Sequence, residues 1–135
     1  MSVTENKELI RRHDEECVSS VASAEMRPWF DKYYGPGFVC HLASRDENRE
    51  QQLQMWLSVP GEYHDFRYDI DDLVAEGDKV TSRHTVQATY KGKRIVVKGV
   101  AIFRIAGGKI VEIWDFPDDL GFMTQTGLIP SAAPK

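Results

Sequence analysis

This sequence has no basic surplus, no long apolar run and no paired cysteine motif. Over 135 residues, 17 Lys and Arg are outnumbered by 21 Asp and Glu, leaving a net charge of −4. Without a cationic excess to neutralise phosphates, nucleic acid and anionic membrane surfaces are poor partners. No stretch approaches the roughly 20 apolar residues of a membrane span. The N-terminal run MSVTENKELIRRHDEEC holds no signal-like apolar core, so a cytoplasmic location is expected. Cys17 and Cys40 stand in neither a CxxC nor a Cys/His ligand spacing. Two free thiols and no metal are expected, with a single disulfide as the alternative. Phosphate loops, nucleotide fingerprints and serine triads are missing as well.

What is present reads as one globular domain over 1–130 with a loose tail at 131–135. Hydrophobic residues make up 41% and charged residues 28%, a balance that supports a packed core. Leu9, Ile10, His13, Cys17, Val18 and Val21 recur at helical spacing, predicting a helix from about Glu5 to Ala22. Ser23 is placed to cap a second helix bearing Trp29, Phe30, Tyr33 and Tyr34, ended by Gly35-Pro36-Gly37. A short β-prone segment covers Phe38 to His41. Asp46 is placed to cap a third helix that stops at Pro60-Gly61. Beyond it the period becomes two. Phe66, Tyr68 and Ile70 alternate with polar residues, and three more strand-like runs follow at Val80–Tyr90, Ile95–Ile105 and Lys109–Phe116. Gly-containing turns join them. Helices followed by an antiparallel meander predict an α+β fold, with a strongly curved antiparallel sheet against N-terminal helices around a pocket.

Alternation assigns the faces of the sheet. Val80, Ser82, His84, Val86 and Ala88 point inward, because their neighbours Thr81, Arg83, Thr85, Gln87 and Thr89 are polar throughout. Centring the next hairpin on Gly92-Lys93 sets His84 opposite Ala101. The Gly107-Gly108 hairpin then sets Ala101 opposite Asp115 and Arg104 opposite Glu112. His84, Ala101 and Asp115 would form one inner row. Small residues at Gly99 and Ala101 leave room above a central strand. Trp56, Tyr68, Phe103, Ala101 and Phe38 are the expected substrate-binding walls, and Trp114 is expected on the outer face.

The runs Gly99–Arg104, Gly108-Lys109-Ile110-Val111-Glu112-Ile113-Trp114-Asp115 and Asp119-Leu120-Gly121-Phe122-Met123-Thr124-Gln125-Thr126-Gly127-Leu128 resemble the SnoaL-like polyketide cyclase family. That family belongs to the nuclear transport factor 2-like (NTF2-like) group. Val74–Val80 and Phe38–His41 resemble further segments of it. The resemblance implies a cone-shaped pocket, no cofactor and a homodimer. It also implies an aspartate acting as general acid/base, which by motif position is Asp115. Asp118 and Asp119 are rival placements.

Burial of Asp115 on an apolar wall would raise its pKa toward a range useful for proton transfer. His84 is the expected assistant, and His41 a third candidate at the pocket mouth. His13 and His64 are read as packing or surface residues. Cys40 and His41, as strand neighbours, face opposite ways and form no dyad. The leading expectation is a cofactor-independent cyclase or isomerase acting on a small hydrophobic carbonyl compound. A hydrolase or dehydratase in the same pocket, a non-catalytic binding domain and an association module are the alternatives.

Overall fold

The Ser2 hydroxyl accepts from the Glu5 N–H while the Glu5 carboxylate accepts from the Ser2 N–H. This reciprocal cap starts α1, Val3–Ser23, in a computed structural model that describes residues 1–130. Leu9, Ile10, His13, Asp14, Cys17 and Val21 form its buried stripe. Ala24 closes α1 in the left-handed conformation, so Ser23 ends this helix instead of capping the next. In α2, Met26–Tyr33, Pro28 is the third residue. Its missing N–H falls in the first turn, where no intrahelical acceptor exists.

Gly35-Pro36-Gly37 does not separate helix from strand as expected. It lies inside β1, Tyr34–His41, which begins directly at the end of α2. Gly37 has φ +75°, and the register against the neighbouring strand shifts between Tyr34 and Val39. Gly35 is held to its size by that neighbour. A Cβ there would meet Lys109 Cβ and Val111 Cγ1 at 3.3 Å.

The third helix starts later than expected because Asp46–Asn48 pairs with β1 as the short strand β2. Asn48 therefore caps α3, Arg49–Glu62, in a second capping box with Gln51. The helix also runs through Pro60 for its last residues.

The meander follows: β3 Tyr63–Glu76, β4 Lys79–Tyr90, β5 Lys93–Ala106 and β6 Lys109–Pro117. A short C-terminal helix, α4 at Asp119–Thr126, completes the described chain. The strand order is β2-β1-β6-β5-β4-β3. The sheet is curved and mixed, since β1 lies parallel to β6 while the remaining pairs are antiparallel. Joining β1 to β6 covers an edge that the meander would otherwise leave open. The tail expected at 131–135 lies outside the described residues.

Two registers bear on the site. Lys91 and Gly92, with φ +49° and +78°, form the β4–β5 turn and pair Tyr90 with Lys93. The turn centre lies one residue earlier than expected, so pairing moves by two. His84 faces Gly99, and Ala101 faces Ser82. An even shift leaves every side chain on its expected face. In the β5–β6 pair a bulge between Arg104 and Ile105 adjusts the register after the Gly107-Gly108 turn. Beyond it, Arg104 faces Glu112 and Ala101 faces Asp115, as alternation predicts.

Phe30, Phe38, Ile10, Leu53, Val80 and Ile110 are among the fully buried side chains of the core. Removing a ring such as Phe30 would cost about 3–5 kcal/mol. At the far end α4 is tied to β5 by Gln125, which accepts from the Val96 N–H at 2.7 Å and donates to the Val96 carbonyl at 2.8 Å.

Candidate functional site

Between the helices and the inner face of the sheet lies a cavity of about 560 Å³. Its floor is the inner face of β4, β5 and β6, where His84, Ala101, Phe103, Ile113, Asp115 and Pro117 line it. Ser82, Ala101 and Asp115 make one row across the three strands; His84, Gly99 and Pro117 make the next. Gly99 decides where His84 goes. A Cβ on Gly99 would stand 3.0 Å from His84 Nε2 and 3.2 Å from Pro117 Cα. Its absence lets the imidazole lie over β5. The Ser82 hydroxyl is 3.2 Å from His84 Nδ1, and the Tyr68 ring stacks on the imidazole at 4.7 Å with planes 24° apart.

Trp56, Tyr68, Phe103 and Ala101 line the cavity, as do Asp115 and His84. Phe38 does not. It packs beneath the wall with its ring edge against Tyr34 at 4.8 Å and only 1% of its surface exposed. His41 does not reach the cavity either. Cys40 takes the inward position at this point of β1, so His41 turns to the outer face. There His41 Nδ1 is 2.8 Å from Asp46, Nε2 is 2.6 Å from Glu112, and the ring stacks on Trp114 at 5.3 Å. Asp118 caps α4, accepting from the Gly121 N–H at 2.9 Å. Asp119 is exposed and reaches the cavity lining with Arg45 and Phe122.

Burial favours the uncharged form of both inner groups. Burial pushes the Asp115 carboxyl up from 3.8 to about 6; the Asp119 charge adds to this, and the Phe116 N–H opposes it. Burial holds the His84 imidazole below its ordinary value, against the opposing pull of Asp14 and Asp71. Near neutral pH the site therefore contains an uncharged imidazole and a carboxyl that gives and takes a proton easily. His84 and Asp115 face one hollow without a hydrogen bond between them, which leaves space for a ligand. Burial also drives the Cys40 thiol up to about 12, with Asp115 adding to the effect. A thiol so hard to ionise is a poor nucleophile.

His13, Tyr34 and Cys17 are among the cavity-lining residues that the sequence did not assign to the site. His13 read as helix packing and Tyr34 as core. One signal was available. His13-Asp14 is an adjacent polar pair set inside the stripe Leu9, Ile10, Cys17 and Val21, and both residues are buried. Among the described residues, no group of three or more His, Cys, Asp or Glu side chains is gathered as metal ligands would be.

A family model described as SnoaL-like polyketide cyclase matches residues 12–126. Among solved structures, AclR from Streptomyces galilaeus, a candidate hydroxylase, is 22% identical. It matches over 99% of this chain and 87% of its own, with a TM-score of 0.80. A candidate SnoaL-like polyketide cyclase from Jannaschia sp. CCS1 is 20% identical over 94% of each chain, at a TM-score of 0.75. Wild-type IdmH, a candidate polyketide cyclase from Streptomyces antibioticus, is 20% identical over 90% of this chain and 98% of its own, at 0.72. At such identities the likeness is one of fold. No curated protein matches the chain.

Proposed function

The chain belongs to the SnoaL-like polyketide cyclase family, and from that premise we propose that it is a cofactor-independent acid/base enzyme acting on a small hydrophobic carbonyl compound. Polyketide-type cyclisation or isomerisation is the reading favoured. The observation that carries it is Asp115, a carboxyl facing a largely apolar cavity with its pKa raised to about 6. Asp115 takes a proton from the carbon next to the carbonyl and returns it elsewhere. His84, neutral and held by Ser82 and Tyr68, donates to or orients the developing enolate. Trp56, Tyr68 and Phe103 hold the substrate in a reactive shape.

Solvent deuterium exchange at the activated carbon of β-tetralone, followed by NMR, tests this. The wild type should accelerate exchange over buffer, and Asp115→Asn should lower that acceleration by more than about tenfold while β-tetralone still binds. Equal exchange by the two proteins removes Asp115 from the mechanism.

A homodimer through the outer sheet face is part of the same reading. Trp114, Val100 and Phe116 lie on that face, with Val100 and Phe116 38% and 53% exposed. Phe116→Lys should convert a dimer to a monomer in sedimentation; a monomeric wild type removes the dimer. Both cysteines are free and buried, which suits the reducing cytoplasm. No helix among the described residues is long and apolar enough to cross a membrane.

A further inference from the structure

His13 and Asp14 are consecutive residues of α1 with 3% and 2% of their surfaces exposed. His13 Nδ1 lies 2.6 Å from Asp14 Oδ1, and His13 Nε2 lies 2.9 Å from the Tyr34 hydroxyl. A carboxylate only accepts, which assigns the imidazole proton to Nδ1. Nε2 then presents its lone pair to the Tyr34 O–H. The other Asp14 oxygen, Oδ2, is sealed from solvent without a hydrogen-bond partner. A half-satisfied buried carboxyl is costly to keep, and its retention asks for a use.

The surroundings hold this chain of groups in place. The His13 ring is flanked by Trp29 at 4.9 Å, Tyr33 at 5.3 Å and Phe103 at 5.8 Å. Trp29 Nε1 donates to the His13 carbonyl at 2.9 Å. The Tyr34 ring stacks on Phe30 at 4.2 Å with planes 7° apart. Tyr34 and His13 also line the cavity that holds Asp115.

We propose that Tyr34, His13 and Asp14 form a second proton-transfer relay in this cavity, with Tyr34 touching the ligand and His13 and Asp14 as positioning residues behind it. The relay rests on the acid/base reading of the same cavity and deepens it. The Tyr34 oxygen takes a proton from an acidic O–H or C–H of the ligand while its own proton passes to His13 Nε2. The ligand becomes an anion and the imidazole an imidazolium, Asp14 stays a carboxylate beside it, and no electrons are exchanged. Asp14 offsets the imidazolium as an aspartate does in a serine triad. Two proton-handling groups, Tyr34 on β1 backed by α1 and Asp115 on β6, suit a ligand that loses a proton at one position and gains one at another. Enols, phenols and enolisable ketones are the class that fits.

Nitrophenols of graded acidity, bound to the whole protein at fixed pH, test the relay without the natural substrate. Their absorbance reports the ionised fraction. Tyr34→Phe should shift ionisation to phenols about tenfold more acidic, the size of effect expected from losing one adjacent charge-stabilising group. Asp14→Asn should shift it in the same direction, because the imidazolium loses its counter-charge. If Tyr34 merely donates to a bound phenolate, loss of the Asp14 charge raises the ionised fraction instead, and that result overturns the relay. Ionisation that survives Tyr34→Phe but vanishes in Asp115→Asn also overturns it, while leaving Asp115 as the base. Failure of any nitrophenol to bind the wild type overturns both readings. If Asp14→Asn does not fold, the wild-type nitrogen-15 spectrum decides. His13, assigned by through-bond correlation, must be protonated on Nδ1 with Nε2 bare, and a proton found on Nε2 alone overturns the relay.

Discussion

Glu112 and Asp115 are carboxylates three positions apart on β6, on opposite faces of one sheet. Outside, Glu112 accepts from Arg104 Nε at 2.8 Å and meets His41 at 2.6 Å, and these partners draw its pKa down. Inside, Asp115 has no ion-pair partner and burial drives its pKa up. The histidines repeat the contrast. His41, between Glu112 and Asp46, is pushed up, whereas His84 on the inner face is pushed down by burial. The same two residue types become a satisfied ion cluster on one face and groups pushed toward their uncharged forms on the other. Water and counter-charges make the difference, and a strand supplies both faces by alternation alone.

Three substitutions sharpen or break this contrast. Asp115→Asn should have the largest effect on stability, and it should be favourable. The folded-state pKa of Asp115 is raised, so the native state binds this proton more tightly than the unfolded chain does. Stability from this group is therefore present at low pH, falls between 3.8 and about 6, and stays low above. At neutral pH the amide removes that penalty, and urea unfolding should show a gain of up to about 3 kcal/mol. No gain would mean that Asp115 is effectively solvated, and the two faces would then be alike.

Gly99→Ala comes next. The new methyl would press on His84 and on the Pro117 backbone, costing about 1–3 kcal/mol as overpacking does. It should also displace the imidazole, visible as a changed His84 proton signal. An unchanged signal would show that Gly99 does not set the ring position. Glu112→Gln should have the smallest effect, lowering stability at neutral pH by about 1 kcal/mol or less, as partly exposed ion pairs do. Its folded-state pKa is depressed, so this contribution holds above the unfolded value of 4.5 and is lost as pH falls through the lower folded one. The Glu112→Gln and wild-type stabilities should therefore converge in acid. A difference that persists in acid would assign the effect to packing.

Much of the sheet was legible because its signals are local. Gly77, Gly92 and Gly107-Gly108 sit in the turns with positive φ, and period two sorted Asp115 from Glu112 without any tertiary information. The turn at Lys91-Gly92 was misplaced by one residue because several polar residues there could occupy the left-handed positions. The helix borders were less legible. Asp46 is a good cap on its own, but pairing of Asp46–Asn48 with β1 moved the cap to Asn48. His41 was misread as a pocket residue because one strand-like segment of four residues does not reveal which of its faces is covered. Phe38 was misread for a similar reason, since inward alternation does not separate a cavity wall from the core beneath it.

Local pattern alone was enough for the α+β order, the meander, and the inward direction of Asp115 and His84. Those features depend on turn chemistry and side-chain alternation, which act over a few residues. The meeting of Tyr34 with His13, the orphaned oxygen on Asp14 and the raised pKa of Asp115 were decided only when the helices folded over the sheet. Each depends on exclusion of water by residues distant in the chain, and desolvation belongs to the assembled shape rather than to any segment of it.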